Sequence, residues 1–200
     1  RSARRIRSRL CAQTVDLSTS RAHGWRATDN AGMSLIYCTS GCTSFATWDG
    51  RSADSDLILG RNFDFYVGDK FAEDKIVAFY HPESGYRFMM VTWAGFTGVV
   101  SGMNEQGLTV TINADKTDPP LGAATPVSLV AREILQYAKN IDEAWNIARK
   151  RKMFVSESFL IGSAADNKAV VIEKTPDKMD MYSTRENYIT CANHFQGKEL

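Results

Sequence analysis

Cysteine is scarce in this chain: Cys11, Cys38, Cys42 and Cys191 are its full complement over 200 residues. That density excludes a disulfide scaffold, although the positions leave a single Cys11–Cys38 bridge open. Long apolar runs are absent too. No window approaches the roughly eighteen apolar residues that a membrane-spanning helix needs, so no membrane insertion is expected. Net charge is nearly absent: the formal value of +1 excludes a general attraction to nucleic acid or to an anionic surface. The charge that exists is unevenly placed. Arg1, Arg4, Arg5, Arg7, Arg9, Arg21 and Arg26 stand against Asp16 alone in the first 26 residues. With no aromatics interleaved, this basic stretch reads as a solvated face or arm, not as a nucleic-acid site. It also lacks an apolar central region, so it is not a signal peptide as it stands. Internal repeats and low-complexity segments are missing. The chain does not open on Met and stops at Lys198-Glu199-Leu200, so a segment of a longer protein is expected.

What is present is a globular composition, 44% apolar and 24% charged, at a length suited to one domain with a real core. Strong patterning begins near residue 40. Strands are predicted at 43–48 and 56–61 around the turn Asp49-Gly50-Arg51-Ser52-Ala53-Asp54-Ser55, then at 76–80 and 87–93. A third pair is predicted at 97–101 and 108–113, joined by Gly102-Met103-Asn104-Glu105-Gln106-Gly107. Thr125-Pro126 reads as a helix start, with Thr125 as N-cap and Val127, Val130, Ala131, Ile134, Leu135 and Ala138 at helical spacing. Asp142 is the expected cap of a second helix ending in Arg149-Lys150-Arg151-Lys152, a basic run suited to a helix C-terminus. Strands return at 158–163, 169–174, 179–183 and 188–193. Strands, then two helices, then strands, with short antiparallel connections, predict an α+β fold.

The chemistry centres on Gly41-Cys42. With the first turn centred near residue 52, facing residues in the hairpin sum to roughly 104. Cys42 is then expected opposite about position 62, which brings Arg61 and Asp64 beside it by local pairing alone. A guanidinium lowers a thiol pKa from its ordinary value of about 8.5. If the chain is cut before Cys42, that residue carries a thiol and a free α-amine of pKa about 7.7–8.0, a nucleophile with its own base. Asp64 would hold and orient the amine. Gly41 tolerates strained backbone and leaves its carbonyl open to intramolecular attack, an N-to-S acyl shift and hydrolysis.

Five runs occur in order: Gly-Cys-Thr-Ser at 41–44, Gly-Arg-Asn-Phe-Asp-Phe at 60–65, Gly-Met-Asn-Glu-Gln-Gly-Leu at 102–108, Asn113 at its strand end, and Ala-Asn-His-Phe at 192–195. On these the chain from Gly41 to about Phe195 resembles the cysteine N-terminal-nucleophile hydrolases. The likeness is nearest to the isopenicillin N acyltransferase-like group. Choloylglycine (bile-salt) hydrolases, penicillin V acylases and acid ceramidases are more distant. The resemblance implies an αββα sandwich of two antiparallel sheets between helix layers, autocatalytic cleavage before Cys42, and attack of the thiol on a linear, non-peptide amide through an acyl-enzyme. It implies Cys42 as nucleophile and Asp64 as partner of its amine. Arg61 matches the arginine of the hydrolase branch, which tilts the expectation towards hydrolysis over acyl transfer to an amine. Asn113 and Asn193 match positions that contact the acyl group, the oxyanion or the nucleophile. Residues 1–41 would be a propeptide or the end of an upstream segment. Residues 42–200 would be the catalytic domain without its C-terminal part, since the family carries a further arginine and more strands there.

Phe63, Phe65, Tyr66, Trp93 and Phe96 are the candidate lining of a pocket for an apolar acyl group. The partner expected is a small-molecule amide substrate, with no cofactor and no metal; homo-oligomerisation is left open. Two rival readings stand beside this one. Cys38, Cys42, Cys191 and His194 have tolerable spacing for a structural zinc. A non-enzymatic ligand-binding sandwich would show neither cleavage nor thiol reactivity.

Overall fold

The computed structural model describes residues 8–13, of which only the backbone is considered, and residues 41–64, 73–116 and 123–200. The strands are β1 (Ser8–Gln13), β2 (Gly41–Asp49), β3 (Ser55–Asp64), β4 (Lys75–Tyr80), β5 (Phe88–Trp93), β6 (Ser101–Asn104) and β7 (Leu108–Ala114). Helices α1 (Val127–Tyr137) and α2 (Ile141–Lys150) follow, then β8 (Glu157–Ser163), β9 (Lys168–Lys174), β10 (Met179–Tyr182) and β11 (Tyr188–Cys191). They build a smaller sheet in the order β1-β3-β2-β11 and a larger one in the order β10-β9-β8-β7-β6-β5-β4. All pairs are antiparallel except β1 with β3, which run parallel.

Two cores follow from the strand faces. Val110, Ile112, Phe159, Ile161, Val170 and Ile172 of the larger sheet pack against Val130, Ile134, Leu135, Ala144 and Ala148 of the helices. Between the sheets lie Ala46, Trp48, Leu57, Leu59, Leu160, Val171 and Ile189. Each such large side chain contributes about 1.5–3 kcal/mol by leaving water. Strand β8 is buried at every position because both of its faces are covered. Among the described residues, both helices lie against the larger sheet. The smaller sheet's outer face, with Phe45 and Tyr188 exposed, carries no described helix, so helix, sheet and sheet are the layers seen.

Several local expectations shift by a few residues. Strand β6 begins at Ser101, where the pattern predicted 97–101. The stretch before it rides on the start of α1 instead: Val99 N donates to Ser128 O, Arg132 donates to Thr97 O, and Gly98 backs onto Ser128. Asn104 explains the rest of that motif. Its Oδ1 accepts from Gln106 N and Leu108 N, while its Nδ2 donates to Leu135 O and Ala138 O. One buried amide thereby closes the β6–β7 turn and satisfies the last carbonyls of α1. Gly107 supplies the turn's positive φ. A Cβ at Gly102 would press on the Leu135 methyl of α1 and on the backbone oxygen of Met89 in β5, so a side chain there would force a shift between the strands. The helix starts also move. Pro126, without a side-chain cap, precedes α1, because Thr125 is tied in an extended bridge to Met153. Asn140, not Asp142, caps α2 by accepting from Glu143 N.

Candidate active site

The β2–β3 hairpin carries the site at its open end. Its inward face is apolar near the turn, with Trp48, Ala46, Leu57 and Leu59, and becomes polar further out, with Ser44, Cys42 and Arg61. In the observed register Cys42 faces Phe63, Gly41 faces Asp64 and Ser44 faces Arg61. This is one residue beyond the sequence expectation, because the ladder shifts between Thr47 and Asp49, where Asp49 has φ of 48°. Across the gap, β7 presents Thr109, Thr111 and Asn113, all fully buried, alternating with the apolar residues that face the helices. A polar seam thus lies between the sheets at one end.

Cys42 is 2% exposed and its thiol is free, still joined through its nitrogen to Gly41. That nitrogen donates to Asn193 Oδ1 at 2.6 Å, and Asn193 Nδ2 donates in turn to Ala114 O. Arg61 is buried and pinned from three sides: Nη1 donates to Val100 O at 2.8 Å and to Ser101 Oγ at 3.0 Å, and Nη2 donates to Ile112 O at 2.7 Å. Its guanidinium lies 4.7 Å from the centre of the Phe63 ring. Arg61 does pull the Cys42 thiol pKa down, as does the Asp64 backbone N–H, but burial outweighs both and the thiol ends above its ordinary value. The expected activation by arginine is therefore present and overruled. In this joined state the thiol is neutral and its nitrogen is a non-basic amide.

Asp64, paired with Gly41, keeps one buried carboxylate oxygen without a hydrogen-bond partner. Burial raises its pKa, and Arg61 opposes that rise. Asn113 sits near but does not contact Cys42 through any hydrogen bond seen: its Oδ1 accepts from Ser44 Oγ at 3.0 Å and its Nδ2 donates to Cys191 O at 3.2 Å. Phe63 packs on Trp93 at 5.8 Å, and Trp93 meets Phe96 edge-on at 6.4 Å. With Phe96 partly exposed, these three form an aromatic row leading from the strand partner of Cys42 to the surface. Phe65 and Tyr66 lie outside the described residues, as does Cys38 of the zinc reading. Among the described residues, no three His, Cys, Asp or Glu side chains are arranged to hold a metal.

The sequence reading missed Ser44, Ser101, Asp115 and Glu157. Ser44 lies two residues from Cys42 on the same strand, so strand periodicity alone places it on the same face, while Asp115 lies one residue past the end of β7, two beyond Asn113. Glu157, at the head of an apolar strand, gives no such signal. It is fully enclosed, and burial with the nearby Asp115 charge holds its carboxyl well above the usual range.

A family model described as acyl-coenzyme A:6-aminopenicillanic acid acyl-transferase matches residues 51–200. The chain belongs to this family. The acyl-transferase match begins beyond Cys42, so the part assigned to Cys42 rests on the geometry above. An uncharacterized protein of Archaeoglobus fulgidus is 26% identical over 141 residues, which is 68% of this chain and 24% of that protein. The chain thus spans about a quarter of that relative's length. Among solved structures, the N-acylethanolamine-hydrolyzing acid amidase ortholog of Caenorhabditis elegans is similar with a TM-score of 0.63 and 19% identity, over 78% of this chain and 71% of that one. A mutant of the conjugated bile acid hydrolase from Clostridium perfringens is similar with a TM-score of 0.55 and 15% identity, over 79% of this chain and 54% of that one. The acyl-transferase family and both structures are of the N-terminal-nucleophile type, and the sandwich of this chain is that fold.

Proposed function

We propose that the chain is the joined precursor of an amide hydrolase that cleaves itself between Gly41 and Cys42 and then uses Cys42 as its nucleophile. The observation that carries this reading is the pairing of a buried thiol beside Arg61 with a backbone nitrogen held by Asn193. In the first stage the Cys42 sulfur attacks the Gly41 carbonyl, the C–N bond breaks as nitrogen takes up a proton, and water hydrolyses the resulting thioester. The nitrogen becomes an α-amine. Asn193 Oδ1 already accepts one of its hydrogens, and the unpartnered oxygen of Asp64 is available to a second.

In the second stage the amine takes the thiol proton as the sulfur attacks a substrate amide. A thioester forms, the substrate amine leaves with a proton, and water releases the acid. Asn113 has a second Nδ2–H to offer the oxyanion, a contribution of roughly 3–4 kcal/mol in comparable sites. The row Phe63–Trp93–Phe96 suits an apolar acyl group. The amidase of Caenorhabditis elegans with the similar fold hydrolyses N-acylethanolamines, which makes an N-acyl amide the substrate class to try first. Acyl transfer to an amine is the second reading, favoured by the description of the matching family. The two are separated by turnover of N-acyl amides with and without an added amine: hydrolysis yields free acid in both cases, and transfer yields the new amide. Cys42→Ala is expected to abolish both cleavage and turnover, and retained amidase activity in it would refute the assignment.

A further inference from the structure

The residue after Ala114 is not used by the chemistry above. Asp115 is 5% exposed, its N–H donates to Ser156 O, and its Oδ2 accepts from Ser158 Oγ. Its Oδ1 is buried with no hydrogen-bond partner. These bonds fasten the end of β7 to β8 beside the carbonyl of Ala114, which takes the amide of Asn193. The Asn193 turn is fastened at its other end by Glu173, whose two oxygens accept from Gln196 N at 2.6 Å and Gly197 N at 2.8 Å. A Cβ at Gly197 would press on the carboxylates of Asp180 and Glu173, so a side chain there would push this grip aside. Asn193 is thus slung between two carboxyl groups.

We propose that Asp115 is a positioning residue: it pins the end of β7 on which Asn193, and through Asn193 the nitrogen of Cys42, is held. The groups facing Asp115 leave it no cation. Glu157 approaches from β8, Glu173 from β9 and Cys191 from β11. Arg61, on β3, acts on Cys42 and Glu157. Lys174, opposite Glu157 in the ladder, does not act on Asp115, and Lys116 next in the chain is exposed. A charged Oδ1 would have no donor and would repel Glu173 across the sling, which pulls the two attachments of the Asn193 turn apart. Burial and the Glu173 charge move the Asp115 carboxyl to about 7, where the proton leaves within the range of ordinary buffers.

The geometry stands by itself; its consequence for catalysis rests on Cys42 being the nucleophile. Two arms separate these. In the full-length Cys42→Ala chain, which stays joined, hydrogen exchange of the amide at position 42 and of residues 192–197 is followed from pH 6 to pH 8 and corrected for intrinsic rates. Protection is expected to fall by about tenfold, the size of one pK unit of coupling, and to stay level when Asp115→Asn is added. An equal fall in both chains, or no fall in either, overturns the proposal. In chains that keep Cys42, cleavage at 41/42 is expected to slow across the same range, and Asp115→Asn to retain its pH 6 rate at pH 8. A chain with the exchange pattern but no cleavage at any pH counts against the function proposed above and upholds the role of Asp115.

Discussion

At the scale of residues, the site is a contest between burial and charge. Cys42 and Arg61 are both legible in the sequence because hairpin pairing is local: once the turn is recognised, its partners follow to within a residue. The outcome of their meeting is not legible, since it depends on how completely the second sheet covers them. Arg61 is the clearest case for testing. It spends its hydrogen bonds on Val100 O, Ser101 Oγ and Ile112 O, so Arg61→Ala strips two backbone carbonyls of a charged donor as well as removing the cation near Cys42. A loss of about 3–5 kcal/mol is expected in urea unfolding, the size of two hydrogen bonds from a charged donor at about 1.5–3 kcal/mol each. Arg61→Lys restores the charge without the fork and is expected to recover part of the thiol's alkylation rate but little of the stability. Full stability in Arg61→Ala would show that the three bonds contribute nothing net.

At the scale of elements, strand and helix positions are legible from periodicity, and the misses share one cause. Thr125, Asp142 and the 97–101 stretch each have the right local chemistry, but another partner takes over: Met153 bridges Thr125, Asn140 captures Glu143 N, and α1 binds the stretch before β6. The Gly-Met-Asn-Glu-Gln-Gly-Leu run shows the converse. In the sequence it reads as one of the family's marks, and in the structure its residues work as a hinge pin between α1 and the larger sheet. Asn104→Ala removes four bonds to buried backbone groups, and about 2–4 kcal/mol of stability should go with them. Because Asn104 lies in the helix-side layer, the alkylation rate of Cys42 at fixed folded fraction is expected to stay within about twofold. A large change in that rate would mean that the turn communicates with the seam.

At the scale of the whole molecule, two properties follow from the seam and from the smaller sheet. Asp115 keeps in the folded chain a proton that it sheds near its ordinary value of 3.8 when unfolded, and loses it only at about 7. The folded state therefore binds more protons across that window, and stability falls as pH rises through it, by roughly 4 kcal/mol from this group. Glu157, also raised, acts in the same sense. Urea midpoints at pH 5 and pH 8 should differ in this direction and differ less in Asp115→Asn, where the raised carboxyl of Glu157 remains; a midpoint that rises with pH would contradict the sign. The second property concerns β1, which pairs in parallel with β3 from Ser8↔Leu57 to Gln13↔Asn62. After cleavage at 41/42 the upstream piece is expected to remain bound by this ladder and to co-elute with the rest on gel filtration. The central claim is tested most directly by intact mass and N-terminal sequencing of the full-length protein after folding. The account predicts two polypeptides, the larger beginning Cys-Thr-Ser-Phe, and a single joined chain in Cys42→Ala. A wild-type chain that stays joined at Gly41–Cys42, with Cys42 unreactive to an alkylating agent, would contradict it.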